Sequence, residues 1–292
     1  MNWTNIDLDT LRTLVTANDL GGYGQAGARL GRTPSAISLQ MKRLQADVGA
    51  VLFRKEGRGL ALTEAGDIVL RYGRRMLALN DELLDTVRGA ALSGEVRLGC
   101  SQDFAETILP DVLSRFTALY PLVQIEVRIE GNAALVEAVE NGQLDIALVV
   151  GQADKPGALV VGEVELVWIA GEGFKPRSDE PLPLVMLGPQ CAFRKAALAG
   201  LEKASRSWRI AATSPSLAGL WATASAGLGV TARSRMGLPA GLVCGAALFG
   251  LPELRAFPVT LHRGAASANA SAITERLHQL IAEAAVEKLA VK

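Results

Sequence analysis

Between Thr33 and Arg58 the chain places side chains whose types and spacing suit contact with duplex DNA. Ser35, Ser38 and Lys42 recur at the three- and four-residue spacing of one helix face, with Thr33 and Pro34 just ahead of them and Arg54 and Arg58 beyond. Short hydroxyl side chains can hydrogen-bond base edges in the major groove, while long cations take phosphates. From Gly24 to Arg58 there are seven Lys and Arg against two Asp and Glu, in a chain whose 30 basic and 30 acidic residues otherwise cancel. The positive charge is thus local, and local charge predicts a polyanionic partner where the neutral whole does not.

The elements that must carry these residues follow from the flanking sequence. Ala26, Ala28 and Leu30 predict a short helix of small residues, broken at Gly31-Arg32 by a residue that tolerates positive φ. Thr33 is a good N-cap, Pro34 fits the first helical position, and Ile37, Met41, Leu44 and Val48 form an apolar stripe. The opposite face holds Ser35, Ser38, Lys42 and Gln45, which reads as a recognition helix. Two apolar runs, 51–53 and 60–62, are joined by Arg54-Lys55-Glu56-Gly57-Arg58-Gly59, a hairpin with a basic tip. In such a wing Arg58 suits the narrow minor groove. A two-helix core unit with a solvated basic face is the bland alternative.

Ahead of this pair, Leu8, Leu11, Leu14, Val15 and Ala17 predict a supporting helix. After it, Thr63 caps a long helical stretch to about Ala91, with Val69, Tyr72, Met76, Leu79, Leu83 and Val87 as its stripe. About 29 residues give a rod of about 43 Å. Pairing with the same helix of a second subunit would cover the stripe; packing on the C-terminal domain is the alternative. Helical patterning ends in residues 90–94, so the predicted organisation is a winged helix-turn-helix over 1–62, a linker or dimerisation helix over 63–91, and a separate domain over 92–292.

Beyond the boundary, strands and helices alternate: strands at 96–100, 123–129 and 146–149, helices at 107–120 and 134–141. A second series follows, with strands near 165–170, 184–187 and 208–212 and helices near 193–203 and 217–227. A strand at 259–262 and a helix from Ala270 to Leu289 close the chain. The pattern is α/β with a mostly parallel sheet, and an echo between VRLGCSQD and LVMLGPQC hints at two similar lobes. Open sheets bind ligands outside the carboxyl ends of their strands. The candidate cleft residues are therefore Cys100, Ser101, Gln102, Asp103 and Asn132 on one side. Cys191, Phe193, Arg194, Thr213 and Ser214 face them from the other. Hydroxyls beside helix N–H groups suit a small polar or anionic ligand, although capping explains any one of them equally well.

Enzyme chemistry finds little material. His262 and His278 lie in no metal or nucleophile motif, so no catalytic residue, metal or cofactor is expected. Cys100, Cys191 and Cys244 are not closely spaced; burial of Cys100 and Cys191 as small apolar residues ranks above a redox-sensing pair across the cleft. A length of 292 residues with 49% hydrophobic residues suits two domains with separate cores. Met1 opens no leader-like segment and no apolar run has spanning length, so a cytoplasmic protein without membrane contact is expected.

These residues carry a resemblance. The pattern LDTLRTLVTANDLGGYGQAGARLGRTPSAISLQMKRLQADVGAVLFRKEGRGLALTEAG resembles the N-terminal domain of the LysR-type transcriptional regulators over about sixty residues without a gap. WRIAATSPSLAGLWATASAGLGVTAR and GLPAGL are more loosely similar to effector domains of the branch that includes the LrhA, HexA and PecT regulators. The resemblance implies a two-lobed α/β effector domain of the periplasmic-binding-protein type, with lobe I over about 92–162 and 256–292 and lobe II over about 163–255. It also implies a dimerisation helix, homodimers joining into homotetramers, and a small-molecule effector; two recognition helices related by the symmetry of such a dimer predict an interrupted palindromic operator. The chain departs from the family pattern in two places. Gly27 replaces a usual alanine, at about 1 kcal/mol of helix stability, and Thr33-Pro34-Ser35 replaces Ser-Gln-Pro. The competing reading is an α/β solute-binding or transferase-like protein whose basic N-terminal unit serves only assembly.

Overall fold

A computed structural model describes residues 4–56, 59–88, 93–177, 179–264 and 270–290. Two compact units divide the chain at Ala90/Ala91. In the first, helix α1 (Leu8–Asp19) starts at Asp7, whose carboxylate accepts from the Asp9 N–H. Helix α2 (Tyr23–Leu30) ends at Gly31 with φ +65°, the left-handed turn that favours glycine. Helix α3 (Pro34–Val48) is capped by Thr33, whose hydroxyl accepts from Ala36 N at 3.2 Å. Strands β1 (Phe53–Glu56) and β2 (Gly59–Leu62) pair antiparallel from Phe53↔Leu62 to Glu56↔Gly59. Leu11, Leu14, Ala26, Ile37, Met41, Leu44 and Leu52 interlock in one core.

Three details differ from the expectations. The wing's first strand includes Arg54, Lys55 and Glu56, because pairing continues to Glu56↔Gly59; residues 57 and 58, and with them the candidate Arg58, lie outside the described residues. Gly27 is not a simple cost. A Cβ there would sit 2.5 Å from the Arg32 carbonyl oxygen, so the close turn between α2 and α3 requires a bare Cα. Helix α4 (Glu64–Arg88) has 25 residues, about 37 Å, and the stretch 89–92 lies outside the described residues. Thr63 caps α4, accepting from Gly66 N at 3.1 Å while donating to Val51 O at 2.7 Å.

α4 has two apolar sides. Leu70 and Leu77 are buried in the core shared with α1, and ion pairs Arg12–Asp81 (3.0 Å) and Arg74–Asp19 tie the two helices along their length. The other side leaves Ile68, Tyr72, Met76, Leu79 and Leu83 exposed. Of the predicted stripe, Val69 packs on the core instead.

The second unit begins with β3 (Gly94–Ser101), α5 (Leu109–Leu119), β4 (Val123–Glu130), α6 (Asn132–Glu140), β5 (Ile146–Val150) and β6 (Leu159–Val164). It continues with β7 (Leu166–Gly171), β8 (Leu182–Leu187), α7 (Ala192–Lys203), β9 (Trp208–Ser214), α8 (Leu217–Ser225), β10 (Thr231–Ser234) and β11 (Leu242–Cys244). The last elements are α9 (Ala246–Phe249), β12 (Phe257–Arg263) and α10 (Ala270–Ala290). One lobe is a five-stranded sheet, β4-β3-β5-β12-β6, in which β12 alone runs against its neighbours. The other lobe holds β10-β7-β11 and β8-β9.

That second lobe is less parallel than expected: β8 and β9 are parallel, whereas β7 pairs antiparallel with both β10 and β11. β6, β10 and β11 were not anticipated. β10 is Thr-Ala-Arg-Ser, and all four residues are buried, so its polarity disguises an interior strand. One apolar cluster runs through both lobes, from Val96, Leu98 and Phe116 to Leu184, Phe193 and Val230.

Candidate DNA-reading helix and interlobe site

α3 turns Ile37, Met41 and Leu44 into the core and leaves the opposite face outward. Thr33, Pro34, Ser35 and Lys42 are exposed and Ser38 is half-buried, so the structure brings the five together on one accessible face. Thr33 Oγ1 also lies 3.0 Å from Ser35 Oγ, which ties the two hydroxyls at the helix start. Arg54 is exposed on β1. Arg32 pairs with Asp9 of α1, so this cation is partly committed to its own fold.

Two residues of α3 differ from the sequence reading. Gln45, grouped there with the polar reading face, instead accepts from the Leu52 N–H at 2.9 Å and fastens α3 to the wing. Leu39, not singled out from sequence, is 69% exposed on that face, where a polar residue was expected.

In the second unit the candidate residues meet between the lobes. Gln102, just past β3, spans to the other lobe: its carbonyl oxygen accepts from Leu217 N at 2.6 Å and its amide donates to Pro215 O at 3.4 Å. Asp103 is buried beside it and forms an ion pair with Arg233 of β10, the two side chains being 7% and 4% exposed. Arg233 Nη1 donates to Cys191 Sγ at 3.4 Å, and its guanidinium lies over the Phe193 ring, 4.7 Å from the centroid. Phe193 in turn meets Phe257 of β12 edge-on at 5.1 Å. Among the described residues, Arg233 Nε and Thr231 Oγ1 are buried without a hydrogen-bond partner.

The remaining candidates divide. Ser101 is 2% exposed, and its hydroxyl donates to Asp103 at 3.4 Å. Ser214 is buried and donates to Ser216 O at 2.8 Å, while Thr213 is exposed. Asn132 accepts from Val150 N at 3.2 Å and Arg194 donates to Leu187 O at 2.9 Å, so both spend a polar group within their own lobe. Cys100 is 1% exposed, donates to Ser101 O, and burial together with nearby Asp103 pushes its thiol up to about 12. It stays a protonated, unreactive thiol at neutral pH.

Sequence reasoning missed Arg233, the hub of this cluster. A signal was present: residues 210–232 carry no charge, so Arg233 ends an uncharged stretch in a chain otherwise rich in ions. Among the described residues no group of three His, Cys, Asp or Glu could hold a metal, and no helix is long and apolar enough to cross a membrane.

Both units find relatives. Residues 8–67 match the family described as "Bacterial regulatory helix-turn-helix protein, lysR family", and residues 89–284 match "LysR substrate binding domain". The chain is 34% identical over 257 residues to the HTH-type transcriptional regulator DgdR of Burkholderia cepacia, covering 88% of this chain and 87% of that one. It is 34% identical over 230 residues to the HTH-type transcriptional regulator PecT of Dickeya dadantii, covering 79% and 73%. Among solved structures, CrgA, a LysR-type transcriptional regulator from Neisseria meningitidis, aligns over 98% of this chain and 100% of that one. Its TM-score is 0.69 at 19% identity. Full-length LysG of Corynebacterium glutamicum with bound effector Arg aligns over 97% and 99%, with a TM-score of 0.54 at 22% identity. These matches exclude the solute-binding or transferase-like alternative. With a capped, outward-facing α3 in one unit, a two-lobed α/β domain in the other, and both family domains matched, the chain belongs to the LysR-type transcriptional regulators, on the PecT-like side of the family, and is a DNA-binding regulator rather than an enzyme.

Proposed function

We propose that this regulator reads an interrupted palindromic operator as a homodimer or a dimer of dimers in the cytoplasm. Residues 1–62 serve as the reading head, 63–91 as the pairing helix and 92–292 as the sensor. Thr33, Pro34, Ser35, Ser38 and Lys42 of α3 enter the major groove, Arg54 of the wing holds the flanking backbone, and Arg58 probes the narrow minor groove. The observation that carries this reading is the capped α3 with its hydroxyls and Lys42 accessible on one face. Pairing through α4 follows from its second apolar side, which the core of its own unit leaves bare. Two reading helices related by symmetry require two half-sites about one helical turn apart or a multiple of it. Genome-wide mapping of bound DNA followed by footprinting should reveal this dyad; a single unpaired footprint would overturn the dimeric reading.

The effector is assigned to the seam where Ser101, Gln102 and Asp103 approach Cys191, Phe193, Thr213 and Ser214. Cys100, Asn132 and Arg194 support its walls. The observation behind this is the set of polar bonds that already crosses between the lobes at Gln102 and Asp103. Any ligand entering there must exchange with them, which couples occupancy to the spacing of the lobes. Replacing Thr213, which is exposed, with Trp should leave operator affinity unchanged and abolish the response to the effector identified by thermal shift. A retained response would place the ligand elsewhere.

A further inference from the structure

We propose that Leu39 is a base-reading residue that selects thymine, packing its isobutyl group against the 5-methyl of one thymine in each half-site. This rests on α3 being the reading helix and adds a specificity that its polar residues cannot supply. Ser35, Ser38, Leu39 and Lys42 fall at i, i+3, i+4 and i+7, a single stripe along the helix. Leu39 stands inside that stripe, between hydroxyls on one side and a cation on the other. At 69% it is the most exposed large hydrophobic side chain among the described residues.

A lone exposed leucine needs no explanation on an ordinary surface. On a surface that enters the major groove it has a definite chemical consequence. The groove presents hydrogen-bond donors and acceptors at every base pair, and an isobutyl group satisfies none of them. Placed over guanine, cytosine or adenine edges it would strip water from polar atoms without replacing the lost bonds. Thymine alone offers an apolar group there, its 5-methyl. Leu39 therefore favours thymine both by covering that methyl and by penalising the other three bases.

Among the described residues Leu39 joins no core cluster, so their packing does not ask for leucine at this position. The core-facing residues of α3 are Ile37, Met41 and Leu44, and alanine would serve the helix at least as well as leucine. Leu39→Ala should consequently fold like the parent, which circular dichroism checks.

The test uses the full-length protein and a duplex recovered by it from a random DNA pool. Each thymine of the half-site is replaced in turn by uracil, which removes the methyl and nothing else. At one position the parent should lose about fourfold in affinity, the factor that burying a single methyl group yields. Leu39→Ala should lose a similar factor on the thymine duplex and show no further loss at that position with uracil. Four outcomes would overturn the proposal. The selected half-site has no required thymine, no uracil substitution weakens binding, or the Leu39→Ala protein remains as sensitive to uracil as the parent. The fourth is that Leu39→Asp changes the sedimentation of the free protein without affecting DNA binding, which would make the residue a contact between copies. In each of these cases the protein still binds its duplex, so the loss of this proposal is distinct from the loss of the reading helix itself.

Discussion

The two units dispose of their polar side chains in opposite ways. In the DNA-reading unit Ser35 and Lys42 stand in solvent, and the Thr33 and Ser35 hydroxyls make local bonds that start the helix. In the second unit the corresponding candidates are bonded across the seam: Asp103 to Arg233, Gln102 to Leu217 and Pro215. The first arrangement leaves recognition groups ready for a partner that brings its own acceptors and donors. In the second, a ligand bound at the proposed site would have to trade places with existing bonds. Where the chain spends its hydrogen bonds thus separates an accessible polar face from a seam whose polar groups already bond to one another.

The largest expected effect tests whether the reader works alone. Leu79→Asp with Leu83→Asp puts carboxylates into the exposed apolar side of α4 while sparing Leu70 and Leu77, which hold it to α1. DNA affinity should fall by about two to four orders of magnitude as the two half-sites lose their linkage. Sedimentation should show monomers with unchanged helical content. An intact oligomer would mean that α4 is covered in another way.

A second test contrasts one ion pair from each unit. Asp103→Asn strands Arg233, 4% exposed, without its countercharge, and should cost about 3–5 kcal/mol. Denaturant unfolding followed by tryptophan fluorescence reads this directly, since Trp168, Trp208 and Trp221 all lie in the second unit. Asp9→Asn breaks the exposed pair with Arg32, whose side chains are 60% and 31% exposed, and should cost no more than about 1 kcal/mol. Equal costs would erase the contrast.

The smallest effect is with pH. Burial lowers the titration of both His262 and His278 below the ordinary 6.5, and both belong to the second unit. The folded state holds them neutral while the unfolded chain takes up protons, so stability is full above about 6.5 and declines as pH falls below it. The slope is at most about 1.4 kcal/mol per pH unit for each histidine. Melting curves between pH 7 and pH 5.5 should show this decline, and His262→Gln should flatten it. A profile unchanged by the substitution would show that the buried imidazole is not its source.

Local structure was legible wherever its cause is local. The Thr33 cap, Pro34 at the first turn, the Ile37-Met41-Leu44 stripe and the break at Gly31 are all interactions within a few residues, and they place α3 from sequence. What escaped has distant causes. Arg233 is 130 positions from Asp103, and Gln45 answers a backbone N–H in the wing. Leu39 escaped for a different reason. An apolar residue on an outward face breaks the binary pattern by which helices are read, and such breaks mark function more often than error.

The position of β12 has a consequence for how the chain is made. It lies between β5 and β6, pairing with Ile146–Val150 on one side and with Leu159–Val164 on the other. During synthesis those two strands leave the ribosome about a hundred residues before the strand that separates them, and the whole second lobe is completed in between. Until residue 263 emerges, β5, an unbroken apolar run of Ile-Ala-Leu-Val-Val, keeps one edge unpaired. An open apolar edge recruits other strands. Premature termination anywhere between residues 166 and 256 therefore yields a nascent chain whose first lobe is left with an adhesive edge, a substrate for chaperones rather than a smaller regulator.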